Sequence, residues 1–134
     1  MKLVEVFEFN DPGYAKVFSF KEWRVAFLNY IEHLKIDKID HVECHHQTDE
    51  VFVLLEGSCQ LIIFDNNKFE IVELEKNKIY NVRQGVFHSH VLSVDSKVLV
   101  IEQEDTNDIN STRIYLTKEQ REEMINVWRN YNGI

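Results

Sequence analysis

The feature that most constrains this chain is a close succession of short β-forming segments, broken by turn signals and not interrupted by helical patterns until near the end. Leu3–Phe9 reads as a first, alternating strand, with Leu3, Val4, Val6, Phe7 and Phe9 around Glu5 and Glu8, and Asp11-Pro12-Gly13 then marks a turn. Strands are expected at Lys16–Phe20, Trp23–Ile31, Asp37–His46, Glu50–Glu56 and Gln60–Asp65, and then at Phe69–Leu74, Ile79–Val82, Val86–Val94 and Lys97–Gln103. Asp65-Asn66-Asn67 is hairpin chemistry, because Asn tolerates the left-handed backbone that tight hairpin turns need. Strands so closely spaced predict an all-β sandwich or barrel.

The pattern changes at the end. Thr117-Lys118-Glu119-Gln120 has the form of a capping box. Met124, Ile125, Trp128 and Tyr131 then fall on one helical face. A helix over about 117–131 is expected, its apolar stripe packing on the barrel or on a partner. The polar stretch Asp105–Arg113 reads as a loop, and Gly133 as part of a frayed end.

Composition excludes several classes of function. The net charge of −8, with Lys and Arg scattered, argues against nucleic-acid binding, which needs a basic patch. The longest apolar run, Val51–Leu55, is far short of the ~20 residues that span a bilayer. Glu5 and Glu8 stand where a signal peptide would be apolar, so a cytoplasmic location is expected. The two cysteines, Cys44 and Cys59, are too few for a disulfide framework. A length of 134 residues suits one domain, 1–134, with its barrel core at about 23–104.

Five of the six histidines fall into two groups, His41, His45 and His46, then His88 and His90. Imidazole and carboxylate are the common ligands of Zn, Fe, Ni and Mn. Residues i and i+2 of a strand share a face, so either Glu43 with His45 or Cys44 with His46 points inward.

The stretch from His45 to Gly57, with six residues between Glu50 and the Gly that closes it, resembles the first motif of the cupin superfamily. Arg83-Gln84-Gly85-Val86-Phe87-His88 resembles its second motif. The resemblance implies a double-stranded β-helix, or jelly-roll barrel, whose mouth holds a divalent metal on three His and one Glu. Carried over, Glu50 and His88 match directly. The first two positions fall either on Glu43 and His45 or on Cys44 and His46. The first register sets Thr48-Asp49-Glu50 where the family often has it, and it gives a candidate metal set of Glu43, His45, Glu50 and His88. Replacing one His by Glu would lower the charge around a divalent ion from +1 to zero and favour harder metals.

The metal is expected to be Mn, Fe, Ni or Zn, and catalytic residues are not assigned. His90 is read as a pocket-wall residue, and His33 and His41 as surface or strand-end residues. Cys44 and Cys59 are read as buried hydrophobes. Arg83, where the family usually has Pro, is either a solvated turn residue or a cation at the pocket mouth. Tyr80 is either filler or a hydroxyl donor. Two functions compete: a metal-dependent enzyme acting on a small polar molecule, and a metal-free, non-catalytic ligand-binding module. The single acidic helix at the end cannot form a helix-turn-helix. A homodimer is expected through the apolar residues Val4, Val6, Phe7, Phe9, Val17, Phe18 and Phe20 and the Trp128 helix.

Overall fold

The computed structural model describes residues 3–134. Ten strands are followed by one helix: β1 (Gly13–Phe20), β2 (Trp23–Asn29), β3 (His41–His45), β4 (Glu50–Glu56), β5 (Cys59–Asp65), β6 (Lys68–Glu73), β7 (Tyr80–Val82), β8 (Phe87–Leu92), β9 (Lys97–Gln103), β10 (Ser111–Tyr115) and α1 (Lys118–Asn132). They form two five-stranded antiparallel sheets, ordered β1-β2-β9-β4-β7 and β10-β3-β8-β5-β6. Strands adjacent in sequence therefore often lie in opposite sheets, as in a jelly roll.

Alternation along the strands decides what faces the interior. Ala26, Leu28, Phe52, Leu54, Leu61, Val98 and Val100 meet between the sheets in one buried cluster. A second cluster lies outside that space. Val42, Ile62, Phe69 and Ile71 of the second sheet pack under Leu116 and Met124. This is why β5 is buried on both faces over Cys59–Ile62.

The α1 stripe packs on the barrel of its own chain. Met124 is fully buried, and the Trp128 indole donates to Gln60 Oε1 at 2.6 Å. Thr117 and Gln120 form the reciprocal capping box, satisfying two of the helix's free N–H groups. Gly133 is an ordered left-handed cap, φ +70°, whose N–H reaches the Asn130 carbonyl; it is not a frayed residue.

Three further expectations are corrected. Residues 3–9 form no strand: their apolar residues come in adjacent pairs instead of alternating, and the segment is held by side chains. Phe7 stacks on Phe18 at 5.1 Å, and Asn29 donates to the Phe9 and Asp11 carbonyls. The expected strand Asp37–His46 begins only at His41, after two short 3₁₀ turns. The expected loop Asp105–Arg113 ends in β10, which pairs with β3 from Ser111↔His45 to Tyr115↔His41. At the β5–β6 hairpin, Asn66 and Asn67 have φ of +52° and +59°, as a two-residue turn requires.

Candidate functional site

Two turns from distant parts of the sequence are stitched together and set the site. Gly85 N–H donates to the His45 carbonyl at 2.7 Å, and Gln84 N–H donates to Asp49 Oδ1 at 2.9 Å. The end of β3, the start of β4 and the entry to β8 are thereby fixed relative to one another. His45, Glu50 and His88 project from them into the space between the sheets.

Among the described residues, these three bring one ligand-type atom each within 4.8 Å of one another. All three are buried. His88 Nε2 lies 2.9 Å from Glu50 Oε1, and His45 Nε2 lies 3.4 Å from the same oxygen. The far side of each imidazole is also held. His88 Nδ1 meets the Val86 carbonyl at 3.0 Å, and His45 Nδ1 meets Ser111 Oγ at 2.7 Å. Tying down Nδ1 orients Nε2, the arrangement that prepares histidine as a ligand. Both nitrogens of His88 face oxygen acceptors, so the contact with Glu50 needs either a proton or a shared cation.

Glu43 and His45 line the cavity, whereas Cys44 is buried on the opposite face of β3 and His46 is exposed. Glu43 Oε1 stands 3.7 Å from His45 Nε2, and Oε2 accepts from Arg113 Nε at 2.8 Å. His90 lines the same cavity against Phe52 and stands outside the three-residue group. His41 lies at the rim, paired with Asp40. Arg83 is exposed and lines no part of the cavity; the arginine near the mouth is Arg113. Tyr80 packs on the core, and its hydroxyl accepts from Glu75 N–H.

Sequence reasoning missed Glu102, Tyr14 and Arg24. Glu102 Oε1 accepts from the Tyr14 hydroxyl at 2.8 Å and from Arg24 Nη2 at 2.7 Å, and Oε2 lies 3.9 Å from His45 Nε2. The available signal was the alternation of β9, which places Glu102 on the inward face with Val98 and Val100.

The electrostatics follow from burial and proximity. Burial opposes the Glu50 carboxylate, but hydrogen bonds from His45 and His88 outweigh it and hold its pKa well below the usual range. Burial and the Glu50 charge push Glu102 upward. Burial opposes a charged His45 too, yet the bond to Glu50 and the surrounding carboxylates raise its pKa. His90, desolvated and close to His88, is pushed down to about 4 and stays a neutral imidazole.

The cavity around these groups has a volume of about 680 Å³, enough for a small molecule. Both arginines that line it, Arg24 and Arg113, are already paired with carboxylates.

No protein-family model matches the chain, and no curated protein matches it in sequence. Solved structures do match in fold. A cupin-2 domain protein from Shewanella frigidimarina superposes with a TM-score of 0.54 at 22% identity, over 72% of this chain and 85% of that one. The chain has the cupin fold. Within that fold, a Streptomyces nucleoside dehydratase, also solved with uridine, matches with a TM-score of 0.59 at 10% identity, over 83% of this chain and 86% of that one. HppE in its Fe(II) form matches with a TM-score of 0.52 at 12% identity, over 75% of this chain and 60% of that one. The cupin barrel accounts for the site's position, between the two sheets, and leaves its chemistry to the residues described above. Among the described residues, no helix is long and apolar enough to cross a membrane.

Proposed function

We propose that this protein binds a divalent metal ion through His45, Glu50 and His88, with Glu43 as a fourth ligand, and acts on a small polar molecule held in the adjoining cavity. The observation that carries the reading is the convergence of two back-anchored imidazoles on one buried carboxylate oxygen, at 2.9 and 3.4 Å. The donor set suits a metal: two imidazoles and a carboxylate, with Glu43 outside that three-residue group but its Oε1 3.7 Å from His45 Nε2. Carboxylate-rich sets favour Mn or Fe(II) over softer ions. The iron form of HppE supports the reading at the level of the fold.

A bound metal supplies Lewis acidity, polarising a carbonyl or hydroxyl of the bound molecule. The chain's own residues do the rest. Arg113 holds Glu43 at the rim. Neutral His90 accepts a hydrogen bond from the molecule, and Phe52 packs against it. With Arg24 and Arg113 already paired, and with Glu43, Glu50, Glu102 and Asp108 outnumbering the remaining Lys38 in the lining, the cavity favours a neutral hydroxylated molecule over a phosphate or carboxylate. The uridine bound by the Streptomyces dehydratase is a neutral molecule of this kind.

Calorimetric titration of chelator-treated protein with Mn(II), Fe(II), Ni(II) and Zn(II) tests the reading. One ion per chain is expected, and its binding should be lost in His88→Ala. Failure of all four ions to bind the wild-type protein would sink it. A second reading follows from the same contact: with a proton between His88 and Glu50, the pocket is satisfied without metal and serves as a ligand-binding module. Retention of a small ligand by metal-free protein, with no turnover, would support this alternative.

A homodimer and a cytoplasmic location belong to the same proposal. Leu3, Val4 and Val6 are 90%, 75% and 90% exposed, Phe20 is exposed as well, and they offer apolar surface to a second copy. Light scattering that returns the 16.0 kDa of a single chain would refute the dimer.

A further inference from the structure

Glu102 is the buried charged group that the proposed metal set does not use. It stands on β9, between β2 with Arg24 and β4 with Glu50, and it is 6% exposed. Taking a carboxylate out of water is costly unless each oxygen finds a partner. Oε1 has two, the Tyr14 hydroxyl and Arg24 Nη2. Arg24 is itself anchored, donating to the carbonyls of Glu104 and Thr106.

Oε2 is different. It is buried and has no hydrogen-bond partner among the described residues. It faces the candidate metal centre, 3.9 Å from His45 Nε2. Glu43 Oε1 lies at a similar distance from that nitrogen, but Glu43 is half-buried and open to water. Among the described residues, Glu102 alone presents to the centre a buried carboxylate oxygen that no N–H or hydroxyl satisfies, with the Glu50 carboxylate as its close neighbour.

We propose that Glu102 is a further ligand of the metal centre, supplying Oε2 beside His45, Glu50 and His88, with Tyr14 and Arg24 as the positioning residues that aim it. The inference rests on the metal-binding reading above. It makes the centre oxygen-rich, so Glu102 should matter more for Mn(II) than for Zn(II). A carboxylate held from behind by an arginine and a phenol loses little freedom on binding an ion, and such supporting partners typically change metal affinity 10–100-fold when removed.

The test is calorimetric titration of the full chain, as wild type, Glu102→Gln, Tyr14→Phe and Glu43→Gln, with Mn(II) and Zn(II). Visible absorption of the Co(II)-loaded proteins is read in parallel. Glu102→Gln should weaken Mn(II) binding at least ~10-fold and alter the Co(II) spectrum, and Tyr14→Phe should do both to a smaller extent. Glu43→Gln should cost less than Glu102→Gln. If wild type binds Mn(II) and Glu102→Gln binds it within about twofold, with an unchanged Co(II) spectrum, this inference falls and the metal reading stands. If wild type binds no metal, both fall. Should Glu102→Gln fail to fold, Tyr14→Phe decides, because it keeps the carboxylate in place; unchanged affinity and spectrum in that variant would overturn the inference.

Discussion

His88 and Glu50 meet at 2.9 Å although they belong to opposite sheets, His88 on β8 and Glu50 on β4. The contact is thus both a chemical group and a clasp between the two halves of the barrel. Removing Glu50 leaves two buried imidazoles without their shared acceptor, and an unsatisfied buried polar group costs about 1–3 kcal/mol. Glu50→Ala should therefore lower the stability of metal-free protein by that amount in urea denaturation. It should also reduce metal affinity by at least ~100-fold.

Metal should stabilise the fold. An ion that binds only the native state adds about 2.7 kcal/mol at 100 times its Kd. Thermal melts with Mn(II) should rise relative to chelator-treated protein, and the rise should vanish in His88→Ala. An equal rise in that variant would place the stabilising ion elsewhere.

Much of this arrangement was legible in the sequence, and the reasons differ by residue. Glu50 and His88 sit inside spaced motifs whose glycines, Gly57 and Gly85, have φ of +71° and +79°. Asn66-Asn67 and the Thr117 capping box are local chemistry, readable without tertiary context. Glu102 was not legible in this way. It is one charged residue at an inward position of an otherwise apolar strand, and its partners Tyr14 and Arg24 are 88 and 78 residues away. β10 was hidden for another reason: as an edge strand with Thr112, Arg113 and Tyr115 exposed, it carries the composition of a loop. Residues 3–9 erred the other way, being apolar but with no ladder to join.

Helix α1 should depend on one side chain more than on its cap. Met124 is fully buried in the cluster beneath the helix, whereas the capping box is exposed. Met124→Ala should cost about 2–5 kcal/mol, and Thr117→Ala only about 1 kcal/mol. Urea denaturation of both variants checks the order, and a larger loss for Thr117→Ala would contradict this account of how the helix is held.

Both thiols should be silent in the folded protein. Burial pushes Cys59 up to about 12 and raises Cys44 as well, so neither forms appreciable thiolate at pH 8. Ellman's reagent should find no fast-reacting thiol in native protein and two in guanidinium chloride. Rapid labelling of Cys44 in the native state would mean that the β3 face beneath it opens.

The two motif glycines should respond differently to the same substitution. Both hold left-handed backbone, which costs a residue with a Cβ about 1–2 kcal/mol. At Gly85 a Cβ would meet nothing within 4 Å, so Gly85→Ala should pay that cost alone. At Gly57 it would lie 2.6 Å from Ser96 Cα, in a turn that packs on Ser93–Ser96 through the bond from Ser58 N–H to Ser93 Oγ. Backbone must move there, which adds about 1–3 kcal/mol. Gly57→Ala should therefore be the more destabilised variant in parallel urea titrations. Equal losses at the two positions would show that the Gly57 turn yields without strain.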